Sequence, residues 1–232
     1  MNERPLNRNQ AKRLIVELML DGGIGPDTPI SERSLAERTG LGRTPVREAL
    51  RDLERDGLID IEPKRGSFVR QLGLDDVREI FEVRFAMETL AASLAAIRGP
   101  SQRLRRIYEE LSNFQGKKLT EEENNHAHLL GREMHGEIVV SSGNGLLESQ
   151  YSQVRLMIEV SLGLTARREV ARHRDILDEH VAISSAILAS DSNVAQEAMR
   201  DHLLKGYQFR IQILTEFPAF VATMNLGGQP ES

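Results

Sequence analysis

The chain has 232 residues, with 30 Lys and Arg against 35 Asp and Glu, a formal net charge of -5, and no cysteine. That length exceeds a typical domain of roughly 100 to 150 residues, so one small and one larger domain are expected; the missing cysteines exclude disulfides and thiolate metal sites and suit a reducing cytosol. No apolar run approaches the ~18 residues a bilayer span needs, and the start, Met-Asn-Glu-Arg-Pro-Leu-Asn-Arg, lacks a signal-peptide core, so a cytoplasmic protein with no membrane partner is expected.

Taken in chain order, residues Asn7 to Asp21 form the first predicted helix, with Ala11, Leu14, Ile15, Leu18 and Met19 at helical spacing and Gly22, Gly23, Gly25 and Pro26 after it. Ser31 can cap a short second helix that turns in Leu35 and Ala36 and stops at Gly40. The third helix is bounded by Thr44 as N-cap, Pro45 at the first helical position and Gly57 beyond the end. Val46, Ala49, Leu50 and Leu53 make its apolar stripe, and Arg43, Arg47, Arg51 and Arg55 a second one pointing away. Leu58 to Ile61 and Ser67 to Val69 are β-prone runs around Pro63-Lys64-Arg65-Gly66, a hairpin with a basic tip. This order is that of a winged helix-turn-helix.

From Leu74 onward helical periodicity takes over. A long helix from Asp75 or Asp76 to about Ile97 places Val77, Ile80, Phe81, Arg84, Phe85, Glu88 and Ala92 at helical spacing. Further helices are predicted over 101–114, 120–142, 144–162, 166–190 and 192–215. The fold class is therefore mainly α: a winged helix-turn-helix over residues 1–72, an all-helical domain over 73–217, and a loosely ordered tail over 218–232. Residues 1–72 carry 13 basic against 12 acidic side chains, the remainder 17 against 23. A near-neutral first domain does not exclude nucleic acid, because contact depends on charge within a Debye length of about 10 Å.

A recognition helix enters the major groove by its N-terminal end. Arg43 and Arg47 stand there, and arginine can take guanine O6 and N7 with two parallel hydrogen bonds, while the Thr44 hydroxyl suits a phosphate. Arg33, Lys64 and Arg65 would flank the contact. Arg51 and Arg55 are read as structural, paired with Glu48, Asp52 and Asp56.

The stretch from Pro29 to Ala36, then Gly40-Leu41-Gly42-Arg43-Thr44-Pro45-Val46-Arg47-Glu48-Ala49-Leu50, Asp56-Gly57-Leu58 and Arg65-Gly66-Ser67-Phe68-Val69, resembles the N-terminal domain of the GntR family of bacterial transcription regulators. The resemblance implies a winged-helix homodimer on a pseudo-palindromic operator, a repressor rather than an activator, with Arg33, Arg43, Thr44, Arg47 and Gly66 at the DNA. Gly42 departs from the serine often found there. Phe81 to Glu88, Met134-His135 before Ser142-Gly143-Asn144, Glu179-His180, and Met199 before His202-Leu203 are similar to the FadR-like branch with its FCD effector domain. That branch implies a small carboxylate effector and a divalent metal, zinc or nickel, held by one aspartate and three histidines. The histidines match His135, His180 and His202; the aspartate position is Gly131, so a weakened three-histidine site of higher net charge is expected. His128 is one helical repeat too far to replace it, about 10 Å along the axis. Arg84 and Asn144 are the effector-contact candidates, although Arg84 could equally pair with Glu88 one turn later.

Two other classes fit less well. A metal-dependent all-helical enzyme of the di-iron kind needs two Glu-x-x-His units plus two glutamates, and only Glu123 to His126 matches; Walker and Gly-x-Ser-x-Gly patterns are missing. A winged helix that binds protein instead of DNA is the second alternative, separable by replacing Arg43 and Arg47.

Overall fold

The computed structural model describes residues 4–20, 23–24, 28–62, 65–70, 73–163 and 173–216. The elements run α1 (Arg4–Leu20), α2 (Glu32–Thr39), α3 (Arg43–Arg55), β1 (Ile59–Glu62), β2 (Gly66–Val69), α4 (Leu74–Arg98), α5 (Gln102–Phe114), α6 (Glu121–Ser141), α7 (Gly145–Gly163), α8 (His173–Leu188) and α9 (Ser192–Glu216). The expected tail over 218–232, the helical start over 166–172 and the wing-tip residues Pro63 and Lys64 lie outside the described residues.

The chain divides into two compact units. The first comprises Met1–Leu74, Leu156–Leu164 and Gln212–Ser232, the second Asp75–Arg155 and Thr165–Ile211. Both units are thus discontinuous, whereas the division at residue 72 read from the sequence is contiguous. The difference arises because a single helix can serve two cores: Leu156 and Met157 of α7 pack against the first unit's apolar cluster.

In that first unit, Ala11 and Ile15 of α1 meet Val46, Ala49 and Leu53 of α3, all fully buried. Each large side chain so placed contributes about 1.5–3 kcal/mol relative to exposure. Charges clamp the same two helices: Arg8 donates to Asp52 and Lys12 to Asp56, each at 2.5 Å. Asp52 also pairs with Arg55 at 3.2 Å, one of the intrahelical partners the sequence offered that arginine.

Helix α3 starts earlier than its sequence suggested. Gly42 is the N-cap, with extended backbone and no side-chain cap; Thr44 is the second helical residue and Pro45 the third. The correction has a simple cause: the first four N–H groups of a helix lack internal partners, so proline fits at the third position as well as the first. The other end follows the expected pattern. Gly57 takes φ +72, and Gly57 N–H donates to Glu54 O and Leu58 N–H to Leu53 O, a Schellman closure that turns the chain into β1.

The wing is an antiparallel pair with Ile59 opposite Val69 and Glu62 opposite Gly66. Ile30 adds a third, one-residue strand, its N–H donating to Ser67 O at 2.7 Å. Gly66 has φ +117, a backbone only glycine adopts without strain.

The second unit is helical throughout its described residues. Phe81, Leu104, Ile107, Leu111, Met134, Ile138, Ile183 and Ile187 are fully buried, and α5, α6 and α8 pack on one another. Side chains cap the starts of α5 and α6. Ser101 Oγ accepts from Leu104 N–H at 3.0 Å, and Thr120 and Glu123 form a reciprocal capping box. The capping box accounts for the Glu-x-x-His spacing: Glu123 holds a helix end, and His126 meets Glu110 at 3.2 Å on the surface.

Candidate functional site

The exposed face of α3 carries Arg43, Thr44, Arg47 and Arg51, opposite its buried stripe. Arg43 makes no ion pair among the described residues, so both edges of its guanidinium remain available. Arg47 does not: its Nε donates to Glu32 Oε1 at 2.9 Å and its Nη2 to Oε2 at 2.8 Å. This hydrogen bond from Arg47 lowers the Glu32 carboxyl pKa against the opposing effect of burial. Glu32 therefore orients one of the two arginines. The sequence reading missed it because the partners lie 15 residues apart, on two helices.

Arg33 is exposed and 3.6 Å from Glu37 one turn on. On the wing, Arg65 pairs with Glu62 and stacks over the Phe68 ring at 5.5 Å. An added Cβ at Gly66 would stand 3.7 Å from Pro29 Cβ. Lys64 lies outside the described residues.

In the second unit, helices α6, α8 and α9 bring His135, His180 and His202 together, all buried, with candidate ligand nitrogens within 4.8 Å of one another. Ring centroids are 4.7–5.3 Å apart. Their second nitrogens are differently engaged. His135 Nδ1 lies 2.6 Å from Glu88 Oε2, and His202 Nδ1 lies 2.8 Å from Glu179 Oε2. His180 Nε2 is buried with no hydrogen-bond partner. Burial first, and then the neighbouring histidines, push the His180 pKa well below its usual value; burial lowers that of His202 to about 4. Both rings are therefore neutral at neutral pH, the form that ligates metal.

The fit to a divalent metal is good in kind and compatible in distance. Nitrogens on one tetrahedral zinc stand about 3.4 Å apart, inside the 4.8 Å within which the three candidate nitrogens lie. Two of them already hold a carboxylate on Nδ1, the arrangement that fixes a histidine's tautomer and aims Nε2 at a metal. His128 is outside the cluster.

Gly131 offers no ligand, as its sequence position suggested, and it also makes room for a neighbouring ring. A Cβ there would collide with Cε1 and Nδ1 of His180: the imidazole fills the space of a side chain at 131. Negative charge is supplied instead from behind the histidines by Glu88 and Glu179.

Glu88 joins the rest of the buried polar group. Its Oε1 accepts from Arg84 Nε at 2.8 Å and from Tyr151 OH at 3.2 Å. Burial raises its pKa, but Arg84 and His135 outweigh that and hold it far below the ordinary carboxylate value. Arg84 thus makes the intrahelical pair, the second of its two expected roles. Its guanidinium also lies 5.0 Å from the Phe81 centroid, with buried Arg210 at 5.6 Å from the same ring. Asn144 Oδ1 accepts from Leu147 N–H at 3.2 Å and so caps α7.

Among known families, residues 7–69 match the model described as bacterial regulatory proteins, gntR family, and residues 79–205 match the FCD domain. The chain belongs to the gntR family of bacterial regulatory proteins, in its FCD-domain class. It is 27% identical over 208 residues to the HTH-type transcriptional regulator YdhC of Bacillus subtilis, covering 90% of this chain and 91% of the relative. It is likewise 27% identical over 192 residues to the HTH-type transcriptional repressor GlaR of Escherichia coli, covering 80% and 87%. The solved structure of McbR/YncC from Escherichia coli shares the fold, with TM-score 0.73 at 20% identity over 89% of this chain and 97% of that one. The protein is a ligand-responsive, DNA-binding transcription regulator. None of its described helices is long and apolar enough to cross a membrane.

Proposed function

We propose that this regulator is a cytoplasmic repressor that binds a pseudo-palindromic operator as a homodimer and responds to a small carboxylate at the histidine site. The observation that carries the DNA half is the exposed N-terminal turn of α3. Arg43 reads a guanine with its open fork, and Thr44 takes a phosphate. Arg47, steadied by Glu32, offers its remaining Nη1 donors to a neighbouring base or phosphate. Arg33, Arg65 and the Gly66 turn lie along the DNA backbone, and Lys64 remains a further contact candidate from the sequence. Repression is supported by the name of the GlaR relative.

Dimerisation is supported by α4, where Val83, Leu90 and Ile97 stand seven residues apart and are 41%, 45% and 66% exposed. At 100° per residue these positions drift only slightly and form one stripe, and a second copy of the same stripe is the partner that a two-fold operator calls for.

In the sensing half, His135, His180 and His202 would hold zinc or nickel, and the bound metal would supply a Lewis-acidic centre for an effector carboxylate. Glu88 and Glu179 orient two of the ligands. Arg84 keeps the Glu88 charge in place, and Asn144, as the α7 cap, bears on the effector through that helix. An effector alters DNA affinity only through unequal affinity for two arrangements of the dimer.

Fluorescence anisotropy with duplex DNA from the region flanking the protein's own gene tests this reading. Arg43→Ala should weaken binding by about 1–3 kcal/mol and relax specificity at one base pair, and wild-type affinity should fall steeply with salt. Unchanged binding by the Arg43→Ala, Arg47→Ala double variant would point to a winged helix used for another purpose.

A further inference from the structure

A cavity of about 240 Å³ opens where the end of α5 and the following turn meet the first turns of α8; its lining includes Lys117, Lys118, His128, Arg174, Asp178 and His180. Drug-sized ligands occupy roughly 300–1,000 Å³, so this space suits a metabolite of a few carbon atoms.

Its two ends differ in chemistry. His180 is 6% exposed, and its Nε2 lacks a hydrogen-bond partner. Lys117, Lys118 and Arg174 are exposed. Arg174 Nη2 reaches the Lys117 carbonyl at 3.5 Å, which keeps the α5–α6 turn and the start of α8 on a common rim. Three cations therefore face one lining carboxylate, Asp178, and that carboxylate accepts from Gln115 Nε2 at 2.9 Å. Glu123 also feels the charge of Lys117, and its carboxylate is engaged with the Thr120 N–H.

We propose that this cavity takes a small organic dianion, one acidic group at the His180 end and the second held by Lys117, Lys118 and Arg174. The inference deepens the effector reading above and rests on it. A monocarboxylate taken at the His180 end, where the metal of the reading above would be its anchor, would leave the rim cations facing water. A second acidic group gains charge-assisted hydrogen bonds from them, at the mouth of a cleft that focuses positive potential. Hydrogen bonds to charged groups contribute about 1.5–3 kcal/mol, which corresponds to about a tenfold or greater affinity advantage. Dicarboxylates and phosphorylated acids share this chemistry.

Isothermal titration calorimetry on the full chain, zinc-loaded and metal-free, separates the cases. Probes are matched pairs: succinate against butyrate, glutarate against valerate, and phosphoglycolate against glycolate. The expected result is at least one dianion binding about tenfold tighter than its monoanion. In the Lys117→Gln, Lys118→Gln, Arg174→Gln triple variant that gap should close to within about twofold, with monoanion affinity unchanged. The exposed rim makes the variant's fold easy to verify by circular dichroism. Equal affinity within every wild-type pair, or an advantage that survives in the variant, overturns the dianion subsite and leaves the effector site standing. No binding by any acid in either metal state overturns both.

Discussion

Glu88 offers the sharpest test of how the helical unit is held together. It is fully buried and serves Arg84, Tyr151 and His135 at once. Replacing it by alanine leaves the Arg84 guanidinium, 4% exposed, without its counter-charge. Breaking a buried pair from one side costs about 3–5 kcal/mol. For a chain of this size, ~2–4 °C of melting temperature accompanies each kcal/mol, so a fall of about 6–20 °C is expected. The comparison that isolates the cause is Arg84→Met, Glu88→Leu. With both charges gone no ion is left stranded, but the Tyr151 hydroxyl and His135 Nδ1 lose their acceptor at about 1–3 kcal/mol each, so the double variant should recover only part of the loss while remaining clearly more stable than the sum of its singles. Differential scanning calorimetry at pH 7 and urea unfolding read both variants. A Glu88→Ala melting temperature within 2 °C of wild type, or a double variant as unstable as the sum of its singles, would refute the reasoning, with 2 °C set by the same size scaling at about 1 kcal/mol.

Other outcomes follow from the same contacts. Glu179→Gln removes the carboxylate behind His202 and should weaken zinc or nickel binding about 10- to 100-fold in competition with a chelator, since outer partners of this kind carry that much affinity; an unchanged constant would mean His202 is not a ligand. Leu90→Asp puts a charge in the α4 stripe and should yield monomers in sedimentation velocity at micromolar concentration; an undisturbed dimer would place the contact elsewhere. The Glu123 carboxyl has its pKa lowered from 4.5, mainly by the hydrogen bond from the Thr120 backbone. Its folded value lies below the unfolded one, so its contribution is complete above about pH 4.5 and is lost as pH falls through the folded pKa. Glu123→Ala should therefore lower the melting temperature more at pH 7 than at pH 3, and a difference independent of pH would remove Glu123 from the cap.

Legibility in the sequence followed how local each feature was. The body and end of α3 could be read from a 3.6-residue stripe and Gly57, because those signals act within one turn. Its start was misplaced by two residues because the capping residue is a glycine, which carries no side-chain signal, while Thr44 and Pro45 imitate one. Ile30 contributes a single bridge, too short for alternation to reveal. The histidines drew weight only from a family pattern; what makes them a cluster is the meeting of α6, α8 and α9. Glu88 did leave a trace, a charged residue on the apolar face of α4 one turn after Arg84, and a doubly charged pair inside a buried stripe is a signal for a polar core. That His180 fills the space beside Gly131 is a fact of packing between helices and has no local signature.

The third strand at Ile30 also settles which side of the wing is open. With β2 paired to β1 on one side and to Ile30 on the other, the edge without a strand partner among the described residues is the outer side of β1, four residues reading Ile-Asp-Ile-Glu. A bare strand edge is a template for pairing with another chain. Here it is short, and exposed Asp60 puts a negative charge on it beside the Glu62–Arg65 pair, so two such edges brought together would set like charges at Asp60 against each other. The wing can then project from the protein at high local concentration on DNA without its sheets joining end to end.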